Sequence, residues 1–236
     1  MRLNVFLTTP TKAVLSALQQ QRKHISCLTL PYGTCPPEVA DFPQAVLVPD
    51  PRLPADLCEK HPNAQAVFSF TPLTAPIPNI LCTPPAPCDA PYVCFSLPPP
   101  DSKIFCPHGM TPDHTATLRH ALRGRNPETV TVELFLGAYA VPFPYDGTYR
   151  TCSLGEALTV AQREGALVKM NKNHYYSYII HSNNSRAEAL FFLQQEGLLR
   201  MITDLKALGI SRFALSAEEV ADEGVRPLLS LFKNYS

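Results

Sequence analysis

The stretch Leu3-Asn-Val-Phe-Leu-Thr-Thr-Pro-Thr-Lys-Ala-Val-Leu-Ser-Ala-Leu18, followed by Ile25-Ser-Cys-Leu-Thr-Leu30, decides the fold class. Leu3–Thr8 is an apolar run of strand length, and Thr9-Pro10-Thr11 supplies a helix start. Val14, Leu15 and Leu18 then fall on one helical face. Ile25–Leu30 is a second apolar run, and parallel pairing with the first is the natural closure of such a unit. The chain therefore opens as strand, helix, strand, which points to an α/β fold.

Working outward, the 236 residues are 45% hydrophobic and 17% charged, which excludes a disordered polar chain. Twenty basic residues balance twenty acidic ones, so nucleic acid is not indicated by net charge. The N-terminal apolar stretch is interrupted at Asn4, too early for a secretory signal. Prolines cut every apolar run well short of a membrane span. Eight cysteines without an export signal read as reduced thiols or metal ligands, and the expected location is the cytoplasm.

The composition is lopsided: residues 31–112 hold 20 of the 25 prolines, and residues 61–100 carry one charged side chain, Asp89. Two halves are expected, a Pro/Cys-rich α/β half over 1–110 and a second α/β half over 111–236. Ala45–Val48, Ala66–Phe70, Asn79–Cys82 and Tyr92–Leu97 read as short strands. The connections from Ala66–Phe70 onward are too short for ordinary crossover helices. Antiparallel or irregular pairing is expected there, in a partial or degenerate β/α barrel-like fold with a Pro-rich irregular middle. The second half predicts a helix from Thr111 to about Leu122, a strand Val130–Leu136, a helix Leu154–Glu164 and a strand Tyr175–Ile180. A helical stretch from Ser182–Ser185 to Leu208, broken at Gly197, a strand Ile210–Leu215 and a capping box Ser216/Glu219 complete it.

Candidate chemistry is sparse. Cys82, Cys88, Cys94 and Cys106 are soft ligands for zinc or an iron–sulfur cluster, but none forms a close Cys-x-x-Cys pair. Loop or core packing explains them equally. His108 lies two residues after Cys106, with His114 and His120 beyond, and solvated histidines are the competing reading. Cys152 has His174 and His181 downstream without any spacing that makes them partners. Phe143-Pro-Tyr145-Asp-Gly-Thr-Tyr149-Arg150 reads as a turn at Asp146-Gly147 carrying aromatics, with Tyr149 and Arg150 as pocket candidates. His174-Tyr-Tyr-Ser-Tyr178 alternates as a strand does.

Val130-Thr-Val-Glu133-Leu-Phe-Leu-Gly137-Ala-Tyr-Ala, with Tyr149-Arg150-Thr-Cys152-Ser-Leu and Leu205-Lys-Ala-Leu-Gly209-Ile-Ser-Arg-Phe213, resembles the C-terminal part of the collagenase-like peptidase U32 family. The resemblance covers roughly Thr129–Tyr235. It implies a β/α-barrel-type protein, either a protease or a factor for oxygen-independent hydroxylation. It also implies Glu133 as a strand carboxylate and Cys152 as first ligand of an iron–sulfur cluster. The family's His before Gly137 is absent, Leu136 standing there, and no cysteine follows Cys152. Two other readings stay open: a non-catalytic binding or scaffold protein with a protein partner, and a zinc-stabilised interaction module on Cys82, Cys88, Cys94 and Cys106.

Overall fold

The computed structural model describes residues 2–48, 56–61, 63–69, 81–83, 92–93, 119, 127–129, 131–170, 175–183 and 186–232. The opening unit forms as its sequence dictates. Strand β1 (Arg2–Phe6) leads into helix α1 (Lys12–Gln21), whose N-cap Thr11 accepts the Val14 N–H through its hydroxyl. Helix α1 buries Val14, Leu15, Ala17 and Leu18. Strand β2 (Cys27–Pro31) returns parallel to β1, with Val5 opposite Leu28.

The remaining strands extend this pair into one eight-stranded sheet. Its members are β3 (Gln44–Val48), β4 (Ala64–Ser69), β5 (Leu81–Thr83), β6 (Tyr92–Val93), β7 (Thr131–Glu133) and a late strand, β13 (Arg212–Ser216). The order is β5-β4-β3-β2-β1-β13-β7-β6. Every pairing is parallel. That is the cyclic order of an eight-stranded barrel, with β5 and β6 at the two ends. The expected partial β/α barrel is therefore present. The pairing expected for the short proline-fenced strands is corrected, since β4–β5 and β6–β7 are parallel too. Residues 70–80 separate β4 from β5 and residues 94–130 separate β6 from β7, spans near or above the dozen residues that a parallel connection takes. The predicted helix over 111–122 lies outside the described residues, apart from Arg119, as does most of the Pro-rich middle.

Between β7 and β13 the chain builds a second, antiparallel sheet. Its strands are β8 (Ala138–Phe143), β9 (Arg150–Cys152), β10 (Lys169–Met170), β11 (Tyr176–Asn183) and β12 (Arg186–Leu193), in the order β10-β11-β12-β8-β9. Helix α3 (Leu154–Arg163) buries Leu154, Ala157 and Ala161, and Ser153 caps it by accepting the Glu156 N–H. Helix α4 (Gln195–Ala207) follows β12. The helix expected from residue 182 is thus wrong over its first part. Arg186–Leu193 contains good helix formers, but pairing with β11 on one side and β8 on the other overrides local propensity. Gly197 is not a break either. It lies in the first turn of α4, where a Cβ would run into the Tyr175 carbonyl oxygen.

The capping box holds as read. Ser216 opens helix α5 (Ala217–Ala221), its Oγ accepting the Glu219 N–H while Glu219 accepts the Ser216 N–H. Glu219 reaches further than a capping box requires, because its Oε1 also accepts the Leu136 N–H at 2.5 Å. Leu136 lies where the chain has just left β7 for the small sheet. Asp222, after α5, accepts the Gly155 N–H in the first turn of α3 and the Gly224 N–H. Both carboxylates bind the small sheet to the end of the parallel one. The core runs through both units, from Leu3, Val5 and Leu28 to Phe213, Leu190 and Phe192.

Two expectations follow. Gly197→Ala should lower stability by about 2–3 kcal/mol, an overpacking cost against rigid backbone, read as a loss of roughly 5–10 °C in melting temperature by calorimetry. Glu219→Ala should cost about 2–4 kcal/mol, one helix cap plus an orphaned N–H; an unchanged melting temperature would refute the three-way role of this carboxylate.

Candidate functional site

In β/α barrels the chemistry collects at the carboxyl ends of the strands, because the loops there converge on one face. At the carboxyl ends of β7, β13 and β1 the described residues form a continuous group. Glu133 ends β7 and pairs in register with Ala214; its side chain lies outside the described ones. Thr8, just beyond β1, donates its hydroxyl to Glu218 Oε1 at 2.8 Å. Glu219 holds Ser216 and Leu136 as described.

Tyr139, the second residue of β8, sits at the centre of an aromatic cluster beside this group. Its ring lies 4.8 Å from Phe135, 5.7 Å from Tyr149 and 5.9 Å from Tyr176. Burial pushes the Tyr139 hydroxyl far above the ordinary tyrosine range, with Tyr176, Tyr149 and the Glu219 charge adding to it. It therefore stays protonated and serves as a hydrogen-bond donor. Gly137 permits this packing, since a Cβ there would meet the Phe135 ring at 2.5 Å and the Cys152 carbonyl oxygen at 2.7 Å. The sequence reading did not place a strand at Ala138–Phe143, and nothing in the sequence tied Tyr139 to Tyr176.

Of the two pocket candidates described, Tyr149 is 56% exposed and packs edge-on against Tyr139. Arg150 is ion-paired, 3.0 Å from Glu188 and 3.7 Å from Glu156. The Glu188 hydrogen bond raises its already high pKa. Arg150 is a clamp between β9 and β12 rather than a free cation. Cys152 lies at the end of the edge strand β9, half-buried and unbridged. Burial, followed by the Glu156 charge, pushes its thiol up. A nucleophilic or ligating thiolate needs the opposite shift. His181 does not meet Cys152 in register. It stands opposite Glu188 in β11, buried, with Nε2 3.5 Å from Glu188 and Nδ1 3.6 Å from Glu164. The thiols of Cys82, Cys88, Cys94 and Cys106, and the imidazoles of His108, His114, His120 and His174, lie outside the described side chains. Among the described residues no group of three or more His, Cys, Asp or Glu is arranged to hold a metal ion.

A second polar cluster escaped the sequence reading. Tyr32, just after β2, donates its hydroxyl to Asp56. Lys60, at the end of helix α2 (Leu57–Lys60), lies 2.8 Å from Asp56 and 3.2 Å from the Tyr32 hydroxyl, over the Tyr32 ring. Hydrogen bonds from Lys60 and Tyr32 hold Asp56 below the usual carboxylate range, and Asp56 raises Lys60 to about 12. His61 is buried and accepts the Gly33 N–H at 3.1 Å. Desolvation lowers its pKa, so it is neutral at neutral pH. The four-residue spacing of Asp56 and Lys60 was visible, yet it is common on any helix. These contacts pin α2 to the turn after β2.

No protein-family model and no curated protein sequence matches this chain. Solved structures do. The spore cortex-lytic enzyme SleL of Bacillus megaterium superposes with a TM-score of 0.63 at 11% identity, over 99% of this chain and 74% of that one. A plant class V chitinase from Cycas revoluta, crystallised with (GlcNAc)3, gives 0.61 at 8% identity, over 99% and 100%. A class V chitinase from Pseudomonas fluorescens gives 0.54 at 9%, over 98% of each chain. This likeness overturns the U32 peptidase reading and the protease or hydroxylation role that came with it. The segments behind that resemblance have these places in the fold. The chain leaves the sheet after Glu133, and Tyr149–Cys152 belongs largely to an edge strand of the small sheet. The scaffold and zinc-module readings gain nothing from the fold. The fold is one shared with these solved structures, at an identity that establishes architecture alone.

Proposed function

We propose that this chain binds a glycan of N-acetylated amino sugars at the carboxyl edge of its parallel sheet and holds it without cutting it. The observation that carries the reading is the Tyr139 cluster, with Tyr149 more than half exposed, at the strand ends where such barrels take their ligands. Aromatic rings offer apolar faces to the C–H faces of pyranose rings, and protonated phenols donate to their hydroxyls. The likeness to a chitinase crystallised with (GlcNAc)3 supports the choice of sugar.

Retention rather than cleavage is supported by the described carboxylates at these strand ends, which are engaged as acceptors. Glycoside hydrolysis takes a carboxylic acid at the scissile bond, with its proton held until it is needed. Residues 61–88 span β4, β5 and the connection between them without an Asp or Glu, the next acidic residue being Asp89. Glu219 is engaged by three donors and Glu218 by Thr8. Saturating binding of (GlcNAc)4 is expected by calorimetric titration, with no reducing ends released on prolonged incubation. Tyr149→Ala should weaken binding about five- to tenfold, the worth of one ring contact of ~1 kcal/mol. Absence of binding would overturn the proposal, and steady release of sugar would replace it with a hydrolase.

A further inference from the structure

Three aromatic side chains stand in solvent on the β8–β9 hairpin: Phe143 is 65% exposed, Tyr145 64% and Tyr149 56%. Exposed aromatics at this density over seven residues are unusual on a monomer surface. The hairpin that carries them is held in shape. Asp146 accepts both the N–H and the hydroxyl of Thr148, at 3.0 and 2.5 Å, and Gly147 takes the positive φ of 91° that the turn demands. At its base Arg150 joins Glu188 on β12 and Glu156 on α3.

From this geometry we infer a surface platform, Phe143 and Tyr145 with Tyr149 at its inner end, that adheres to insoluble glycan. The inference rests on the glycan-binding reading above and extends it beyond the Tyr139 cluster. Charge selects the occupant. Asp146 is engaged within the turn and Arg150 is matched by carboxylates, so what the hairpin offers is rings and phenols without an unpaired cation. A neutral, hydroxyl-rich polymer fits it, whereas nucleic acid or an acidic surface would need unpaired cations. Area argues against a second copy of the chain. Three aromatics of about 200 Å² each, some 60% exposed, offer about 370 Å², under half of the ~800 Å² per partner in a stable protein interface. Ile180, also exposed, lies beyond β12 and does not adjoin them. A polymer surface makes no such demand, since many molecules can dock along it, each through two or three rings.

The test uses the full chain, powdered chitin and soluble (GlcNAc)4 as separate probes. Phe143→Ala/Tyr145→Ala should pellet with chitin about tenfold less than the wild type, while its affinity for (GlcNAc)4 and its melting temperature stay unchanged. Equal pelleting would overturn the platform and leave the binding site standing. An equal loss of (GlcNAc)4 affinity would also overturn it, by placing both rings in the primary site. A wild type that binds neither probe would overturn the underlying glycan reading. A wild-type dimer in light scattering that the double variant dissolves would make the occupant a second copy and sink the inference.

Discussion

The carboxylate of Glu219 receives the Ser216 N–H and hydroxyl on one side and the Leu136 N–H on the other. Those donors come from two parts of the chain that are far apart in sequence. Ser216 ends the last parallel strand, whereas Leu136 belongs to the departure from β7 into the small sheet. Hydrogen bonds to an ionised acceptor are worth roughly twice neutral ones, and here they meet where two sheets must be aligned. Without this charge the Leu136 N–H would lose its acceptor, and β7 and β13 would be held at their ends by little more than three ladder positions. The Tyr139 cluster is built directly on that alignment, because Phe135 and Gly137 flank Leu136.

The same economy of design recurs in the other junctions. Asp222 joins the turn after α5 to the first turn of α3, so the helix covering the small sheet is anchored on the helices of the large one. Gly155 and Gly224 make that contact close enough that a Cβ on Gly224 would meet the Gly155 nitrogen at 2.6 Å. Tyr175 donates to Asp204 on α4, while Gly197 lets the same helix approach the Tyr175 carbonyl oxygen. Each tie pairs a buried polar group with a partner from the other unit.

What the sequence disclosed and what it concealed divide along physical lines. The β1–α1–β2 unit was legible because period, cap and spacing agree within thirty residues, and the Ser216/Glu219 box because its partners are three residues apart. The turn at Asp146-Gly147 was legible for the same local reason. The strand Arg186–Leu193 was concealed, since its Ala, Glu and Leu favour a helix and only two neighbouring strands outweigh them. Parallel pairing of β4 with β5, and of β6 with β7, was concealed because short, proline-bounded runs carry no mark of direction. The Tyr139–Tyr176 contact and the Tyr32–Asp56–Lys60 cluster depend on tertiary approach, which composition does not encode. The borrowed roles of Glu133 and Cys152 came from short apolar motifs, and such motifs recur wherever a strand leads into a turn.

The distribution of charge bears on the proposal that this chain holds a sugar. An acid catalyst needs a carboxyl kept protonated by an apolar or like-charged setting. The described carboxylates are engaged otherwise. Asp56 is lowered by Lys60 and Tyr32, Asp222 accepts two backbone N–H groups, Asp204 accepts the Tyr175 hydroxyl, and Glu188 faces Arg150. These groups act as acceptors and ties. The groups turned to solvent on the hairpin are rings and phenols instead. Among the described residues, acids brace the frame and aromatics face outward, and the proposed grip on a neutral polymer by stacking rests on that division of labour.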